Sequence, residues 1–172
     1  FHFNHCKTKD GIYHFAKERL KGQTPDREFL QKYGEMLDTT LKGRWVLEYF
    51  QYLFAKDFNE KMFYLVDSVR ILDQIKYLRD AYSYFVFHIH LEASELSLEK
   101  RFYNRGEIKG LDVKSQKEKY KVYKSDSTEQ QVNSLGEEAD LVINTDRCNE
   151  EDVFVRVASF FKLLPTTQNE LV

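Results

Sequence analysis

The sequence predicts an α/β domain in which a parallel sheet has helices on both faces. Strand-like segments alternate along the chain with segments whose apolar residues recur every three or four positions, as on one helix face. The strand-like segments are apolar throughout instead of alternating between apolar and polar residues. Continuous apolar strands are typical of parallel sheets that are buried on both faces. The 172 residues are enough for one such domain.

The first half of the chain contains a strand, three helices and a polar loop before a second strand. The predicted segments are Phe1–Cys6, Gly11–Lys21, Pro25–Gly43, Trp45–Phe54, Asp57–Lys61 and Phe63–Val66. Thr24 is the predicted N-cap of the second helix, because Pro25 after it has the φ angle of a first helical position.

The second half contains two further strands, and its strongest strand signal is the run YFVFHIHL. The predicted segments are a helix over Arg70–Ala81, a strand over Tyr84–Leu91, a helix capped by Ser94 that ends near Gly106, a helix through Val132 and Leu135, a strand over Asp140–Asn144 and a closing helix over Val153–Leu164. Residues 107–129 hold six lysines without aliphatic periodicity, and acidic residues lie between these lysines. This segment is interpreted as a solvated lid or loop and not as a nucleic-acid site.

Composition narrows the possible partners. Apolar residues make up 42% of the chain and charged residues 31%, and the net charge of −2 gives no general reason to bind nucleic acid or an anionic membrane. No apolar run reaches 18 residues and no signal peptide is visible. Only Cys6 and Cys148 occur, which favours a reducing compartment, so we expect a cytoplasmic location.

An acid and a guanidinium follow the strand Phe63–Val66. Asp67 comes directly after this strand, at its carboxyl end, and Arg70 is expected to open the next helix. Ligands of parallel sheets bind at the carboxyl ends of the strands. A carboxylate there can hold Mg²⁺, which bridges phosphate oxygens, and an arginine can grip a phosphate with its planar fork. The stretch therefore predicts a phosphate site.

A second pair of guanidiniums precedes the lysine-rich segment. Arg101 and Arg105 lie four residues apart and are predicted to share one helix face. Two arginines that lead into a mobile loop are what a lid closing over phosphate requires.

The order of these parts resembles a known family. The stretches VDSVRILDQIKYLRDAY, FVFHIHLEASELSLEKRFYNRG and LGEEADLVINT are similar to the later part of P-loop nucleoside monophosphate kinases, with deoxynucleoside monophosphate kinases and dephospho-CoA kinases as the nearest types. TPDREFLQKYGEML resembles their phosphate-acceptor helices. The resemblance implies a three-layer P-loop NTPase sandwich formed by residues 1–165, with a lid at about 106–128 and a tail at 166–172.

The resemblance also implies an activity and a set of site residues. The reaction would transfer phosphate from ATP to a nucleoside monophosphate or a similar small acceptor. Asp67 would position Mg²⁺, directly or through water, while Arg70 and Arg27 would hold the acceptor phosphate.

The resemblance implies that four further residues would contact the transferred phosphoryl group or the nucleotide. Arg101 and Arg105 would neutralise the transferred phosphoryl group. Asn144 and Thr145 follow the last strand, where the family has its nucleotide-base loop.

Two departures from the family pattern stand out. The family's Asp-Gly is replaced by Asp67-Ser68, and no G-x-x-x-x-G-K-[ST] phosphate loop occurs among the seven glycines. Because Phe1–Cys6 matches the family's second strand, we expect the first strand and its loop either to lie upstream or to have been lost by the protein. The chain alone is then expected to transfer phosphate poorly. A kinase-like domain without catalysis, which senses nucleotides or binds a partner in a larger protein, is the alternative.

Ordinary structural explanations also stand beside these roles. Asp67 can be a helix cap, and the arginines can be surface charges; Arg27, for example, can pair with Glu28 or Glu35. His88 and His90 form an H-x-H pair that could begin the metal site of a hydrolase. The histidines and the cysteine of the run FHFNHC offer a second, poorly spaced metal set.

Overall fold

The computed structural model describes residues 3–56, 63–106, 108–125 and 127–163. The strands are β1 (Phe3–Lys7), β2 (Phe63–Asp67), β3 (Ile89–Glu92) and β4 (Leu141–Asn144). The α-helices are α1 (Thr8–Leu20), α2 (Arg27–Leu41), α3 (Trp45–Lys56), α4 (Leu72–Tyr82), α5 (Glu95–Tyr103), α6 (Val113–Ser125), α7 (Ser127–Leu135) and α8 (Glu150–Phe160). Short 3₁₀ helices cover Ser83–Phe85 and Gly136–Glu138.

The predicted mixed α/β class with parallel strands is confirmed. Strand β1 pairs with β2, and β3 pairs with β4, each in parallel. Over the described residues these strands form two sheets of two strands each, where the sequence predicted a single sheet. Helices make up most of the remaining structure.

The chain divides into two compact units. The first unit comprises residues 1–86 together with 127–132, and the second comprises 87–126 together with 133–172. Each unit contains one of the parallel sheets.

The core of the first unit forms where α3 packs against neighbouring helices and one face of the sheet. Its buried members are Cys6, Leu37, Trp45, Val46, Leu47, Tyr49, Phe50 and Leu78. Gly11 lets α1 approach α3 closely, because a Cβ at this position would lie 2.8 Å from a ring carbon of Tyr49. Tyr64 and Val66 of β2 pack against the same core.

The other face of the first sheet is apolar at one end and polar at the other. Strand pairing aligns Phe3 with Phe63, His5 with Leu65 and Lys7 with Asp67. Phe3, Phe63 and Leu65 are 44%, 46% and 48% exposed, although parallel sheets are normally covered on both faces. The rings of Phe3 and Phe63 have centroids 5.5 Å apart and form the apolar end.

The second unit joins the β3–β4 sheet to α5, α6 and α8. Ile143 of β4 is 1% exposed. A smaller buried cluster comprises Phe102, Ile108 and Tyr120, and Tyr123 packs against it. This cluster holds α6 against α5.

Several predicted boundaries differ from the structure. The strand signal over Tyr84–Leu91 resolves into a 3₁₀ helix, Ser83–Phe85, and the strand β3. Tyr84 and Phe85 are 75% and 74% exposed, so this part of the apolar run does not enter a sheet. The lysine-rich segment, interpreted as a lid or loop, contains the helix α6, because Tyr120 supplies an aromatic anchor that a search for aliphatic periodicity overlooks.

The helix caps give a mixed result. Ser94 caps α5 as predicted, with its Oγ accepting the Ser97 N–H at 3.4 Å. The predicted cap at Thr24 is wrong. Asp26 caps α2 instead, because its carboxylate accepts the Phe29 N–H at 2.7 Å.

Some predicted segments lie outside the described residues, namely the loop Asp57–Lys61 and the tail at 166–172. Across the helices that the structure describes, none is long and apolar enough to cross a membrane.

Candidate functional site

Asp67 is the last residue of β2, so its carboxylate lies at the carboxyl end of the first sheet, as the sequence predicted. Its Oδ2 atom is 3.3 Å from Nε2 of His5, and the Ser68 hydroxyl donates to Oδ1 at 3.2 Å. The side chain is 51% exposed and can still reach a ligand. Ser68 has a φ of 63°, the left-handed conformation that favours glycine. Ser68 therefore adopts a backbone conformation that glycine takes more easily.

Arg70 lies in the turn between β2 and α4, because Ile71 caps the helix and α4 begins at Leu72. The expectation that Arg70 opens the helix is therefore off by two residues. Its backbone N–H donates to Oε1 of Gln74 at 3.0 Å. The Arg70 side chain is exposed.

The same turn is connected to a partly buried carboxylate on α2. Nε2 of Gln74 donates to Oδ1 of Asp38 at 2.8 Å, and Nε1 of Trp45 donates to the same oxygen at 2.6 Å. Burial raises the pKa of Asp38, while these two hydrogen bonds and the positive charge of Arg70 oppose that rise. Asp38 is thus a hydrogen-bond acceptor shared by α3 and α4.

A polar cleft of about 240 Å³ opens beside Asp38 in the first unit. Carboxylates of Glu35, Asp38 and Asp73 line it together with Lys42. Such a lining offers acceptors to N–H donors and cationic groups.

In the second unit, two residues that the sequence placed in separate roles lie in contact. Nη1 of Arg101 donates to the Thr145 hydroxyl at 2.9 Å, and Nη2 donates to the Thr145 carbonyl at 2.7 Å. The Thr145 hydroxyl in turn donates to the Glu92 carbonyl at 2.9 Å. Because Glu92 and Asn144 end β3 and β4, the contact lies at the carboxyl end of the second sheet.

The carboxylate of Asp146 organises this end of the second sheet. The Ser94 N–H donates to Asp146 at 2.9 Å, and the Asp146 N–H donates to Oδ1 of Asn144 at 3.0 Å. The hydrogen bond from the Ser94 backbone lowers the pKa of Asp146, helped by the Ser97 hydroxyl and the charge of Arg101. The carboxylate thereby connects the start of α5 to the loop after β4.

Arg105 has different surroundings from Arg101. Helix α5 ends at Tyr103, so the two arginines do not share one helix face. The guanidinium carbon of Arg105 lies 4.9 Å from the ring centroids of both Phe102 and Tyr123. Its Nη1 atom is buried and has no hydrogen-bond partner among the described residues. Arg105 therefore packs on the aromatic cluster that joins α5 to α6.

Arg27 is the first residue of α2 and is exposed. Glu28, one of its two suggested partners, pairs with Lys32 at 2.6 Å. The predicted contact of Arg27 with an acceptor phosphate stays a prediction.

The histidines that the structure describes do not gather further ligands for a metal. No group of three or more His, Cys, Asp or Glu side chains in the described ranges could hold a metal ion. His90 is 9% exposed, and a Cβ at Gly136 would lie 3.2 Å from its ring. The backbone N–H of His88 donates to Asp140 at 2.6 Å.

The second proposed metal set, in FHFNHC, is divided between the two faces of the sheet. His5 contacts Asp67, while Cys6 points into the core. Burial and the nearby charge of Asp10 raise the pKa of the Cys6 thiol to about 11. His2 lies outside the described residues.

Sequence reasoning missed the residues that hold the predicted ones in place. Gln74 occupies the third position of α4, where a glutamine that caps the helix is common. This position was the only feature of the sequence that could have identified Gln74. Asp38 and Asp146 gave no signal, because a single acid in a helix or a loop is usually solvated.

No protein-family model matches the chain, and no curated protein matches it.

Proposed function

We propose that the chain is a nucleotide-kinase-like phosphotransferase domain, which, when completed by an upstream phosphate loop, transfers phosphate from ATP to a nucleoside or deoxynucleoside monophosphate or a similar small acceptor. The observation that carries this proposal is the position of the predicted polar residues at the carboxyl ends of parallel strands. Asp67 ends β2, and Arg101 contacts Thr145 directly after β4. Ligands of parallel α/β sheets bind at this edge.

Asp67 fits a magnesium ion. Its carboxylate is half exposed at a strand end, and Mg²⁺ typically takes one or two carboxylates together with waters and substrate phosphates. When bound, Mg²⁺ would neutralise charge on the phosphates. Arg70, with Arg27, would hold the acceptor phosphate, and the exposed Arg70 side chain suits this role.

The second unit would contact the donor nucleotide and the transferred group. Asn144 and Thr145 would meet the nucleotide base, while Arg101 and Arg105 would neutralise the transferred group. Arg101 already fixes Thr145 through two hydrogen bonds, so it holds the nucleotide loop in shape. Arg105 would have to leave its aromatic contacts to reach a phosphate.

The proposed fold is a three-layer P-loop sandwich in which an upstream segment would supply a strand, its Gly-rich loop and the helix that follows the loop. The residues that cradle the ATP phosphates in such proteins do not occur in the 172 residues. The half-exposed apolar face formed by Phe3, Phe63 and Leu65 supports an added layer, since a parallel sheet is stable when both faces are covered.

A kinase-like domain without catalysis, acting as a nucleotide sensor or an interaction module, is the second candidate. Its support is the missing phosphate loop together with the contacts of Arg105, which stacks on two rings. The upstream coding sequence separates the two candidates. A G-x-x-x-x-G-K-[ST] motif within about 30 residues of Phe1 favours the kinase, and its absence favours the second candidate.

Arg70→Ala tests the acceptor site. A hydrogen bond to a charged group contributes about 1.5–3 kcal/mol, so the change should weaken monophosphate binding by roughly 10- to 150-fold. Arg70→Lys keeps a point charge and should lose less. The measurement is calorimetric titration of the full-length protein with a panel of nucleoside monophosphates, paired with thermal melts. Unchanged affinity in Arg70→Ala would remove this residue from the site.

A further inference from the structure

The backbone at Arg70 is held by a buried side chain that the proposed function does not use. Oε1 of Gln74 accepts the Arg70 N–H at 3.0 Å. Gln74 is 2% exposed, and a buried amide of this kind is normally fully hydrogen bonded.

Gln74 is itself fixed from the opposite end. Its Nε2 donates to Asp38 at 2.8 Å, and Trp45 donates to the same oxygen of Asp38 at 2.6 Å. Only this orientation of the amide satisfies both partners, because a flipped amide would set N–H against N–H and oxygen against carboxylate. A side chain at Gly43 would also collide with Gln74, since a Cβ there would lie 2.8 Å from its Cγ.

We propose that Gln74 is a positioning residue that presets Arg70 for the phosphate monoester of the acceptor. This inference rests on the proposed function of Arg70. A planar guanidinium binds two phosphate oxygens only over a narrow range of positions, so the backbone that carries it has to be fixed in advance. Gln74 supplies this support from α4, and its hydrogen bond to Asp38 anchors it on α2.

The ordinary alternative is a helix cap. A glutamine at the third position of a helix commonly reaches back to the N–H of the N-cap residue, which in α4 is Ile71. Gln74 reaches one residue further, to Arg70. A pure cap contributes to stability and leaves phosphate affinity unchanged, and this difference separates the two roles.

The test is Gln74→Met in the full-length protein, a change that keeps the approximate volume and removes both hydrogen bonds. We expect monophosphate affinity to fall by roughly 3- to 10-fold, the effect of losing one net hydrogen bond that orders a charged partner. The probes are the nucleoside monophosphates of the Arg70 titration, measured by calorimetry at a temperature where every variant is folded.

Two controls match this change. Trp45→Phe removes the other donor to Asp38 but no bond to Arg70, so it should lower the melting temperature and leave affinity unchanged. Gln116→Met, in the other unit, removes the hydrogen bond that Nε2 of Gln116 donates to the Ile108 carbonyl at 3.1 Å. This change should leave affinity unchanged as well.

The outcomes separate this inference from the proposed function. Unchanged affinity in Gln74→Met, or an equal loss in Trp45→Phe, overturns the positioning role. A loss in Arg70→Ala without one in Gln74→Met keeps the proposed function and rejects the inference. A wild-type protein that binds no monophosphate rejects both.

A measurement on the wild type covers the case in which Gln74→Met does not fold. The Arg70 amide hydrogen should exchange slowly in the ligand-free protein, because Gln74 accepts it. Fast exchange of that amide, resolved by nuclear magnetic resonance, would overturn the inference without any variant.

Discussion

At the scale of single residues, the two cysteines differ in accessibility. Cys6 is 2% exposed on the core face of β1, whereas Cys148 is partly exposed and donates to the Asn144 carbonyl at 3.1 Å. Burial raises the pKa of Cys6 from 9.0 to about 11, so its reactive thiolate is scarce at neutral pH.

We therefore expect native protein at pH 8 to react with an aromatic disulfide reagent at Cys148 alone. Cys6 should react only after denaturation. In the variant Cys148→Ser, Cys6 is the remaining thiol, so its reaction can be followed alone. Because the unfolded thiol ionises near pH 9 and the folded one near 11, stability should be unaffected below pH 9 and fall as the pH rises from 9 towards 11. Equal rates for Cys6 in native and denatured Cys148→Ser protein would contradict this assignment, and Cys6→Ala is the matched control that keeps Cys148.

The residues proposed for a direct role were easier to predict than the residues that support them. Asp67 could be identified because it follows an apolar strand, and the end of that strand is visible as a change in the spacing of apolar residues. The contact between Arg101 and Thr145 spans 44 positions and could not be read from either residue alone. Asp38 and Gln74 meet only when α2 and α4 pack, so no local signal identifies their contact.

At the scale of elements, α3 and α6 differ in how much they bury. Helix α3 buries Trp45, Val46, Leu47, Tyr49 and Phe50. In α6, by contrast, Tyr120 is the buried residue, with Tyr123 beside it. Ion pairing between Lys124 and Glu95 at 2.7 Å adds an exposed contact, which contributes little to stability.

We expect the amides of α6 to exchange faster than those of α3 when no nucleotide is bound, since local opening exposes few apolar groups. If α6 belongs to a lid, nucleotide should slow its exchange while that of α3 stays unchanged. Hydrogen exchange read by mass spectrometry, with and without ATP and a monophosphate, makes the comparison. Equal protection of α6 in both samples would argue against a lid.

Helices and strands were predicted best where a local sequence signal was enough to identify them. The periodicity of α3 and the serine cap of α5 are purely local and were found. The apolar run that begins at Tyr84 misled, because Ser83, with a φ of 52°, turns the chain and leaves Tyr84 and Phe85 exposed before β3 begins. Helix α6 was missed because its buried face is aromatic and narrow.

At the scale of the whole molecule, the parallel sheets raise the question of what covers them. The sequence predicted parallel strands, and pairing confirmed them in both units. The proposed three-layer sandwich needs a further strand and the helix that follows its loop, and this helix layer would cover the apolar face around Leu65.

Leu65→Ala measures whether a longer protein with the proposed upstream segment covers this face. In the 172-residue chain Leu65 is 48% exposed, so the change should alter the free energy of unfolding by no more than about 1 kcal/mol. In a longer protein that carries the Gly-rich loop, an added layer would bury Leu65, and the same change should cost about 2–5 kcal/mol. Leu47→Ala is the matched control, because Leu47 is 9% exposed in the core and should cost a similar amount in both proteins. Urea denaturation of the two proteins and of both variants of each gives four changes in the free energy of unfolding. A small effect of Leu65→Ala in both proteins, beside a large effect of Leu47→Ala, would mean that no layer covers this face and would reject the proposed sandwich.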